Sequence, residues 1–403
     1  MRIAMVSEHA NPLATVGGVD AGGQNVHVAA LAGELTARGH DVVVFTRRDT
    51  TSDPAHQVAP EGYKVELVQA GPPSDIPKDE LLQYMPEFAS RLAARWQESR
   101  PDVVHAHFWM SGLAATTAAK RFGLPVLQTF HALGTVKRRQ QGDRDTSPLQ
   151  RIAIERRLSR TVDRVIATCR DEVDELVAMG MPRPRAAIIP CGVDTGLFRP
   201  LTACPSEKRR LLVIGRLVER KGIGNVIEAL ASLPGTELLI AGGPAREFLH
   251  ADPEVARLRR LADRHSVADR THFLGSVDRE AVPGLMAAVD VVVAAPWYEP
   301  FGIVPVEAMA CGRPVVGTAV GGLLDTVVPG HTGELVPPRR PDLLAPVLRD
   351  LLADEPRRRA YGRAGRERAL AVYRQQRVAE STERAYASCV GGRDLPVAEG
   401  ASR

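Results

Sequence analysis

The sequence predicts two α/β domains in tandem, each built on a doubly wound parallel sheet. Three observations carry this. Short apolar runs alternate with helix-length periodic segments along the whole chain, as in strand–helix–strand crossovers. The alternation breaks once, across the Pro-, Gly- and Asp-rich residues 190–205, and then restarts. And 403 residues with 44% hydrophobic side chains suffice for two separate cores.

In the first half, the apolar runs 3–6, 42–46, 65–68, 103–106, 126–129, 164–167 and 187–189 read as strands. Between them, residues 24–38, 78–99, 111–122, 148–161 and 172–179 read as helices. The stretch 190–205 reads as a linker. In the second half, strands are expected at 211–214, 238–241, 271–274, 291–295, 315–317 and 333–336. Helices are expected at 222–232, 253–265, 279–288, 304–311 and 342–353. An Arg-rich helical tail covers 355–386, and the Gly- and Pro-containing residues from 390 onward are expected to fray. Ligands of such sheets bind beyond the C-terminal ends of the strands, which for two facing sheets means a cleft between domains.

Composition excludes several function classes. A net charge of +4 is too slight to argue for a nucleic-acid partner, and the arginines alternate with acids, as in Glu155-Arg156-Arg157 and Arg366-Glu367-Arg368. Five cysteines without CxxC spacing suggest neither a disulfide framework nor a zinc site, so a reduced, cytoplasmic setting is expected. No apolar run approaches the length of a membrane span. The opening Arg2-Ile3-Ala4-Met5-Val6 is too short an apolar core for a signal peptide and reads as a first strand.

Three constellations point to chemistry. In Trp297-Tyr298-Glu299-Pro300-Phe301-Gly302-Ile303-Val304-Pro305-Val306-Glu307, two carboxylates stand eight residues apart behind an apolar run. Pro300 forbids a continuous helix between them. Glu299 is therefore expected on a loop at a strand's end. Glu307 is expected inside a helix that begins near Ile303, tolerates Pro305 in its first turn and stops at Gly312. The free N–H groups of that helix start suit an anion.

The second constellation is Gly215-Arg216-Leu217-Val218-Glu219-Arg220-Lys221-Gly222, after the first strand of the second domain. It puts two cations, Arg216 and Lys221, where a pyrophosphate would sit.

The third lies in the first domain. The Gly-rich loop Val16-Gly17-Gly18-Val19-Asp20-Ala21-Gly22-Gly23-Gln24-Asn25 opens straight into a helix. It is not GxGxxG, and Thr46-Arg47-Arg48 occupies the place of a ribose-gripping acid, so a dinucleotide reductase is disfavoured. Later strand ends carry His105-Ala106-His107-Phe108-Trp109 and Thr129-Phe130-His131, suited to sugar hydroxyls or proton handling. A zinc site from His105, His107 and His131 lacks an acidic or Cys partner and is disfavoured.

Taken together, the Glu299/Glu307 pair, Arg216 with Lys221, the Gly-rich loop and Thr129-Phe130-His131 resemble the family 4 retaining glycosyltransferases of the GT-B fold, over nearly the whole chain. Within that family, Gly22-Gly23-Gln24 and His131-Ala132-Leu133-Gly134 are similar to sucrose-phosphate synthases. Asn25, His107-Phe108-Trp109-Met110-Ser111-Gly112 and Lys137 are similar to these and to the N-acetylglucosaminyl inositol-phosphate synthases of mycothiol biosynthesis. The resemblance implies two Rossmann-like domains facing across a cleft. Residues 1–195 would form an acceptor-binding domain and 196–375 a nucleotide-sugar-binding domain. Residues 376–403 would form a helix crossing back to the first domain, followed by a frayed tail.

It also implies roles. Arg216 and Lys221 would bind the donor diphosphate, Glu307 the ribose and Glu299 the donor sugar. The backbone of Phe301, Gly302 and Ile303 would assist, together with Gly22 and Gly23. His131 would hydrogen-bond the sugar near the reacting centre. The catalytic set is then His131, Glu299, Arg216 and Lys221. No metal or cofactor is implied, the nucleotide-sugar being a co-substrate, with UDP ahead of GDP. The departing phosphate takes the acceptor's proton, so catalysis is mainly positioning and charge stabilisation. A homodimer is compatible with the family.

On the acceptor side the resemblance implies Gln24, Asn25, Lys78, Phe108, Lys137 and Arg151. Lys78, Lys137 and Arg151 favour a phosphorylated sugar or cyclitol. The chain departs from the inositol-phosphate pattern at Phe108, which replaces a tyrosine, and at Ala132, which replaces a threonine. Each change removes a hydrogen bond worth about 1 kcal/mol. An unphosphorylated natural-product acceptor stays open. So do a sugar-nucleotide epimerase and a catalytically dead sensor, which donor-dependent product formation separates from a transferase.

Overall fold

The protein is described by a computed structural model covering residues 1–14, 23–202 and 208–391. It divides into two compact units, residues 1–190 with 376–403, and residues 191–375.

The first unit is an eight-stranded sheet in the order β3-β4-β2-β1-β5-β6-β7-β8. Its strands are β1 (Arg2–Val6), β2 (Asp41–Arg47), β3 (His56–Val58), β4 (Lys64–Val68), β5 (Val103–His107), β6 (Val126–Thr129), β7 (Arg164–Ala167) and β8 (Ala186–Ile188). All neighbours pair parallel except β3, which runs antiparallel to β4 at the edge. That edge strand is a departure from the all-parallel expectation. Its three residues carry no apolar run, and Val58 is 70% exposed, so no burial pattern marks it. The crossovers are α1 (Gly23–Ala37), α2 (Met85–Glu98), α3 (Trp109–Lys120), α4 (Gly134–Gln141), α5 (Arg151–Thr161) and α6 (Arg170–Ala178). The expected helix over 78–99 splits into a 3-10 turn, Lys78–Tyr84, and α2, because Pro86 lacks the N–H a continuing helix needs.

The second unit is a six-stranded parallel sheet in the order β11-β10-β9-β12-β13-β14. Its strands are β9 (Arg209–Ile214), β10 (Thr236–Ala241), β11 (Thr271–Gly275), β12 (Val291–Ala294), β13 (Val315–Thr318) and β14 (Gly333–Val336). Its helices are α7 (Ile223–Leu230), α8 (Pro253–Arg264), α9 (Val282–Ala287), α10 (Ile303–Ala310), α11 (Leu323–Thr326), α12 (Pro341–Ala353) and α13 (Glu355–Val372). Central strands such as β12 are buried on both faces, which is why they read as unbroken apolar runs rather than alternating ones.

The expected linker is not loose. Cys191, Val193 and Phe198 are buried in the core of the second unit, and Val193 forms a β-bridge with Arg374. The second unit therefore begins at Cys191 rather than at 196. The tail is two helices, α13 and α14 (Gln375–Gly391), separated at Tyr373 and Arg374. α14 lays Val378, Ala379, Ala385 and Tyr386 into the core of the first unit beside Ile3, Val28 and Leu35. Each large apolar side chain buried this way contributes about 1.5–3 kcal/mol.

Candidate active site

Each unit presents a polar cluster at the C-terminal ends of its central strands. In the second unit, the loop after β12 is pinned on three sides. Thr318 Oγ1 donates to the Pro296 carbonyl at 2.6 Å, Trp297 N–H to Arg220 O at 2.8 Å, and Gly322 N–H to Glu299 O at 2.9 Å. Gly321 is required in that last contact. Its φ is +48°, and a Cβ there would lie 2.1 Å from Glu299 O.

So fixed, Glu299 Oε2 meets Lys221 Nζ at 2.5 Å. Lys221 comes from the 3-10 turn after β9 and is followed by Gly222. With φ +68°, Gly222 approaches Ala295 O so closely that a Cβ would sit 1.9 Å away. Arg216 is exposed and its side chain makes no hydrogen bond or ion pair among the described residues. Arg220 beside it is held below the usual arginine range by burial and by Arg216.

α10 begins after Gly302, which has φ +91°, and ends before Gly312 with φ +71°. Glu307 on it is buried, with Arg279 Nη2 2.9 Å from Oε1. Burial pushes its carboxyl up to about 6 despite the nearby guanidinium. Arg279 in turn lies 4.9 Å over the Phe198 ring. The backbones of Phe301, Gly302 and Ile303 stand at the start of α10, with the Phe301 side chain packed in the core against Tyr373.

In the first unit, β5 and β6 end in a stack of imidazoles. His105 donates or accepts at 2.7 Å with Tyr386 Oη of α14 and at 2.9 Å with Thr129 Oγ1. The His105 and His107 rings lie 4.1 Å apart. His107 Nδ1 is 3.1 Å from His131 Nε2, and His27 of α1 adds a ring 5.4 Å from His131. Burial lowers His27 to about 4 and His105 to about 3, and holds His107 and His131 well below the usual range. All four are neutral at pH 7.

Two neighbours hold left-handed backbone. Phe108, at φ 81° and ψ 158°, occupies a region almost reserved for glycine, and His131 has φ 59°. Such conformations cost on the order of 1–3 kcal/mol each and cluster at functional sites.

Known proteins resemble this chain over both units. The model described as Glycosyltransferase Family 4 matches residues 21–197, and that described as Glycosyl transferases group 1 matches 197–368. The D-inositol 3-phosphate glycosyltransferase of Mycolicibacterium smegmatis is 37% identical over 347 residues, covering 82% of this chain and 79% of that protein. The chain belongs to the family 4 glycosyltransferases. Among solved structures, sucrose-phosphate synthase from Thermosynechococcus elongatus superposes with a TM-score of 0.87 at 32% identity, covering 97% of this chain and 99% of that one. Anabaena HepE in complex with UDP-glucose follows the same GT-B fold, with a TM-score of 0.75 at 20% identity over 96% of this chain and 100% of that one.

For a family 4 glycosyltransferase, the structure joins most of the sequence-predicted residues within their own units. Lys221 pairs with Glu299, and Glu307 sits in the helix behind them. Gln24 Nε2 reaches Ser7 Oγ at 3.2 Å and His107 O at 3.4 Å, Asn25 Nδ2 donates to Asn11 O at 2.9 Å, and Gly23 starts α1. Gly22 lies outside the described residues.

Of Lys78, Lys137 and Arg151, the last two meet at Ser147. Its Oγ lies 2.8 Å from Lys137 Nζ and 3.2 Å from Arg151 Nη1. Lys137 also pairs with Asp145 at 3.0 Å and lies 3.7 Å from Asp79, the neighbour of Lys78. Arg151 departs from expectation. It is 3% exposed, and every guanidinium nitrogen has an internal partner: Glu155 Oε1 at 2.8 Å, Ser147 Oγ, and Ala132 O at 2.8 Å. In this conformation it braces the floor beneath Phe108, whose ring lies 5.1 Å from its guanidinium.

Sequence reasoning missed Arg279, His27, Tyr386 and the pair Glu8–His9. It also missed α4, whose sequence GTVKRRQQ shows no apolar period and whose first N–H is held by Glu155 Oε2 at 2.8 Å. Among the described residues, no group of three or more His, Cys, Asp or Glu is arranged to hold a metal, and no helix is long and apolar enough to cross a membrane.

Proposed function

We propose that this glycosyltransferase moves a hexosyl group from a UDP-sugar to a hydroxyl of a small phosphorylated sugar or cyclitol, with retention of anomeric configuration. The observation that carries the donor assignment is the Lys221–Glu299 contact, beside the N-terminus of α10 and an exposed Arg216. A diphosphate would take over Lys221 and recruit Arg216, and free N–H groups at Gly302 and Ile303 would complete the anion site. Glu299, released from Lys221, would accept from sugar hydroxyls. Buried Glu307 would accept from the ribose. Full positive charge placed where the leaving group develops negative charge is the main catalytic effect, worth about 3–4 kcal/mol per well-placed donor.

His131 is assigned to a hydroxyl of the transferred sugar. A neutral imidazole suits that task because it neither repels nor neutralises the diphosphate. The phosphorylated acceptor is supported by Lys137, whose partly exposed side chain places Nζ beside Ser147 Oγ at 2.8 Å, and by the relatives, a D-inositol 3-phosphate glycosyltransferase and a sucrose-phosphate synthase. One observation favours a second reading, an unphosphorylated acceptor. Asp145 is held down to about 2 by its hydrogen bonds from Ser147 and by Lys137, so it remains an anion that competes with phosphate for Lys137.

A mass-spectrometric transfer assay tests both readings by crossing UDP- and GDP-hexoses with free and phosphorylated sugars and cyclitols. Product with phosphorylated acceptors alone is the expected result, and product with unphosphorylated ones alone establishes the second reading. Lys221→Ala is expected to lower kcat/KM by about two to three orders of magnitude and to weaken UDP binding. Unchanged turnover would sink the donor assignment.

A further inference from the structure

Thr46-Arg47-Arg48, at the end of β2, takes no part in the roles assigned above. Arg47 is only 4% exposed, yet among the described residues no carboxylate pairs with it. Burial holds its guanidinium below the usual arginine range, with Asp49 and Asp75 opposing the shift through space. Every described hydrogen-bond partner of the side chain is a backbone carbonyl. Nη1 donates to Pro72 O at 2.8 Å and to Arg48 O at 3.1 Å, and Nη2 donates to Ser74 O at 2.6 Å. A cation buried without a counter-ion costs stability, and the compensation here is the segment that its fork grips.

That segment, Gly71-Pro72-Pro73-Ser74-Asp75-Ile76-Pro77, carries three prolines. Proline supplies a carbonyl but no N–H, so the loop has more acceptors than its own donors can satisfy, and Arg47 supplies donors from outside. The entry to the loop is fixed as well. Gly71 has φ +70°, and a Cβ there would lie 2.5 Å from the Tyr84 ring. Gly71 N–H donates to Glu87 Oε2 at 2.9 Å, and Gln69 Nε2 donates to Gly71 O. The exit is the 3-10 turn Lys78–Tyr84, which Pro77 precedes and which buries Leu81. In that turn Asp79 Oδ2 accepts from Thr146 Oγ1 and lies 3.7 Å from Lys137 Nζ. Lys78 opens the turn, directly downstream of the carbonyls that Arg47 holds.

Lysine is a point charge on a long, flexible stem, so its reach to a phosphate depends on where its backbone stands. Holding that backbone in place before the ligand arrives removes an ordering cost from binding. We propose that Arg47 is a positioning residue for the acceptor phosphate: by bonding the carbonyls of Pro72 and Ser74, it fixes the proline-rich loop and with it the place from which Lys78 meets the phosphate. Arg47 itself touches no substrate. This rests on the phosphorylated-acceptor reading above, with Lys78 among the phosphate's ligands.

The test measures acceptor KM, kcat and UDP affinity in the full chain for wild type, Arg47→Met, Arg47→Lys, Lys78→Ala and the double variant Arg47→Met/Lys78→Ala. D-inositol 3-phosphate and the most productive phosphorylated acceptor of the panel serve as probes. Arg47→Met keeps an unbranched stem and removes the fork. It is expected to raise acceptor KM at least about tenfold, with UDP affinity unchanged. Arg47→Lys keeps the charge and part of the bonding. It is expected to fall between wild type and Arg47→Met, and it keeps the test open should Arg47→Met fold poorly. Because Arg47 acts through Lys78, removing it in the Lys78→Ala background is expected to change acceptor KM by no more than about twofold. A residue that only supports the fold, or that touches the phosphate itself, would cost as much in both backgrounds. An unchanged acceptor KM in Arg47→Met, an equal loss of UDP affinity, or a loss that persists in full in the Lys78→Ala background overturns the clamp. A wild-type enzyme that transfers only to unphosphorylated acceptors, or to none, overturns the underlying acceptor reading instead, and the clamp falls with it.

Discussion

The two units manage polarity in opposite ways. The second unit gathers full charges in pairs, Lys221 with Glu299 and Arg279 with Glu307. The first gathers four neutral imidazoles, His27, His105, His107 and His131, packed ring against ring, the first three buried and His131 partly exposed. An ion pair can exchange one partner for a ligand's charge, so it suits a diphosphate. A neutral imidazole is cheap to bury and can donate or accept, so it suits hydroxyls. The lesson is that the division of labour proposed for the units has a counterpart in their electrostatics as well as in their order along the chain.

One feature of the first unit runs against this contrast, the buried pair Arg151–Glu155, and breaking it gives the largest expected effect. Burial pushes Glu155 up even with the guanidinium 2.8 Å away. Arg151→Met strands that carboxyl and is expected to cost about 3 kcal/mol in urea unfolding at pH 7. Adding Glu155→Gln, which can still accept from Gly134 N–H, is expected to restore most of it. A cost below about 1 kcal/mol together with a raised acceptor KM would return Arg151 to a ligand role.

A smaller effect sharpens the charged side of the contrast. Glu307 titrates at about 6 in the fold, above its ordinary 4.5, because it is buried. Its ionised form is therefore the destabilising one. The penalty is absent below pH 4.5, grows between 4.5 and 6, and is complete above 6, reaching about 2 kcal/mol. Glu307→Gln is expected to be more stable than wild type at pH 7 by up to about that amount and to lose the advantage below pH 4.5. UDP affinity should fall in the same variant. Lower stability at pH 7 would mean that the ion pair with Arg279 outweighs the burial.

The smallest effect probes the neutral side. Tyr386→Phe removes the 2.7 Å hydrogen bond to His105 Nδ1 and is expected to cost about 1–2 kcal/mol, read as lost hydrogen-exchange protection in β5 and β6 but not in β9 or β12. Equal losses in both units would show that the stack is not a local device.

Much of this was legible in the sequence, and the reasons are local. The Glu299/Glu307 arrangement could be read because Pro300, Gly302 and Gly312 punctuate it within one strand–loop–helix step. Buried parallel strands announced themselves as apolar runs. What stayed hidden depends on distance or on a missing pattern. Arg279 reaches Glu307 from a separate turn, and Tyr386 reaches His105 across 281 positions. α4 has no apolar face to signal it, since Glu155 holds its start instead. Glu8 and His9 are adjacent, but only Ser111, 103 positions away, shows that the carboxylate is fixed.

The placement of α14 has a consequence for how the protein is made. The first sheet is complete once Ile188 has been synthesised, yet the slot for Val378, Ala379, Ala385 and Tyr386 stays empty until the last helix emerges. At ~5–20 residues per second, that is a delay of roughly 10–40 s. The second unit, contiguous from 191 to 375, has its whole core in hand before then. On the ribosome the order of completion is thus reversed: the unit begun first is finished last, and its unfilled groove is the surface that chaperones and neighbouring chains meet while it waits.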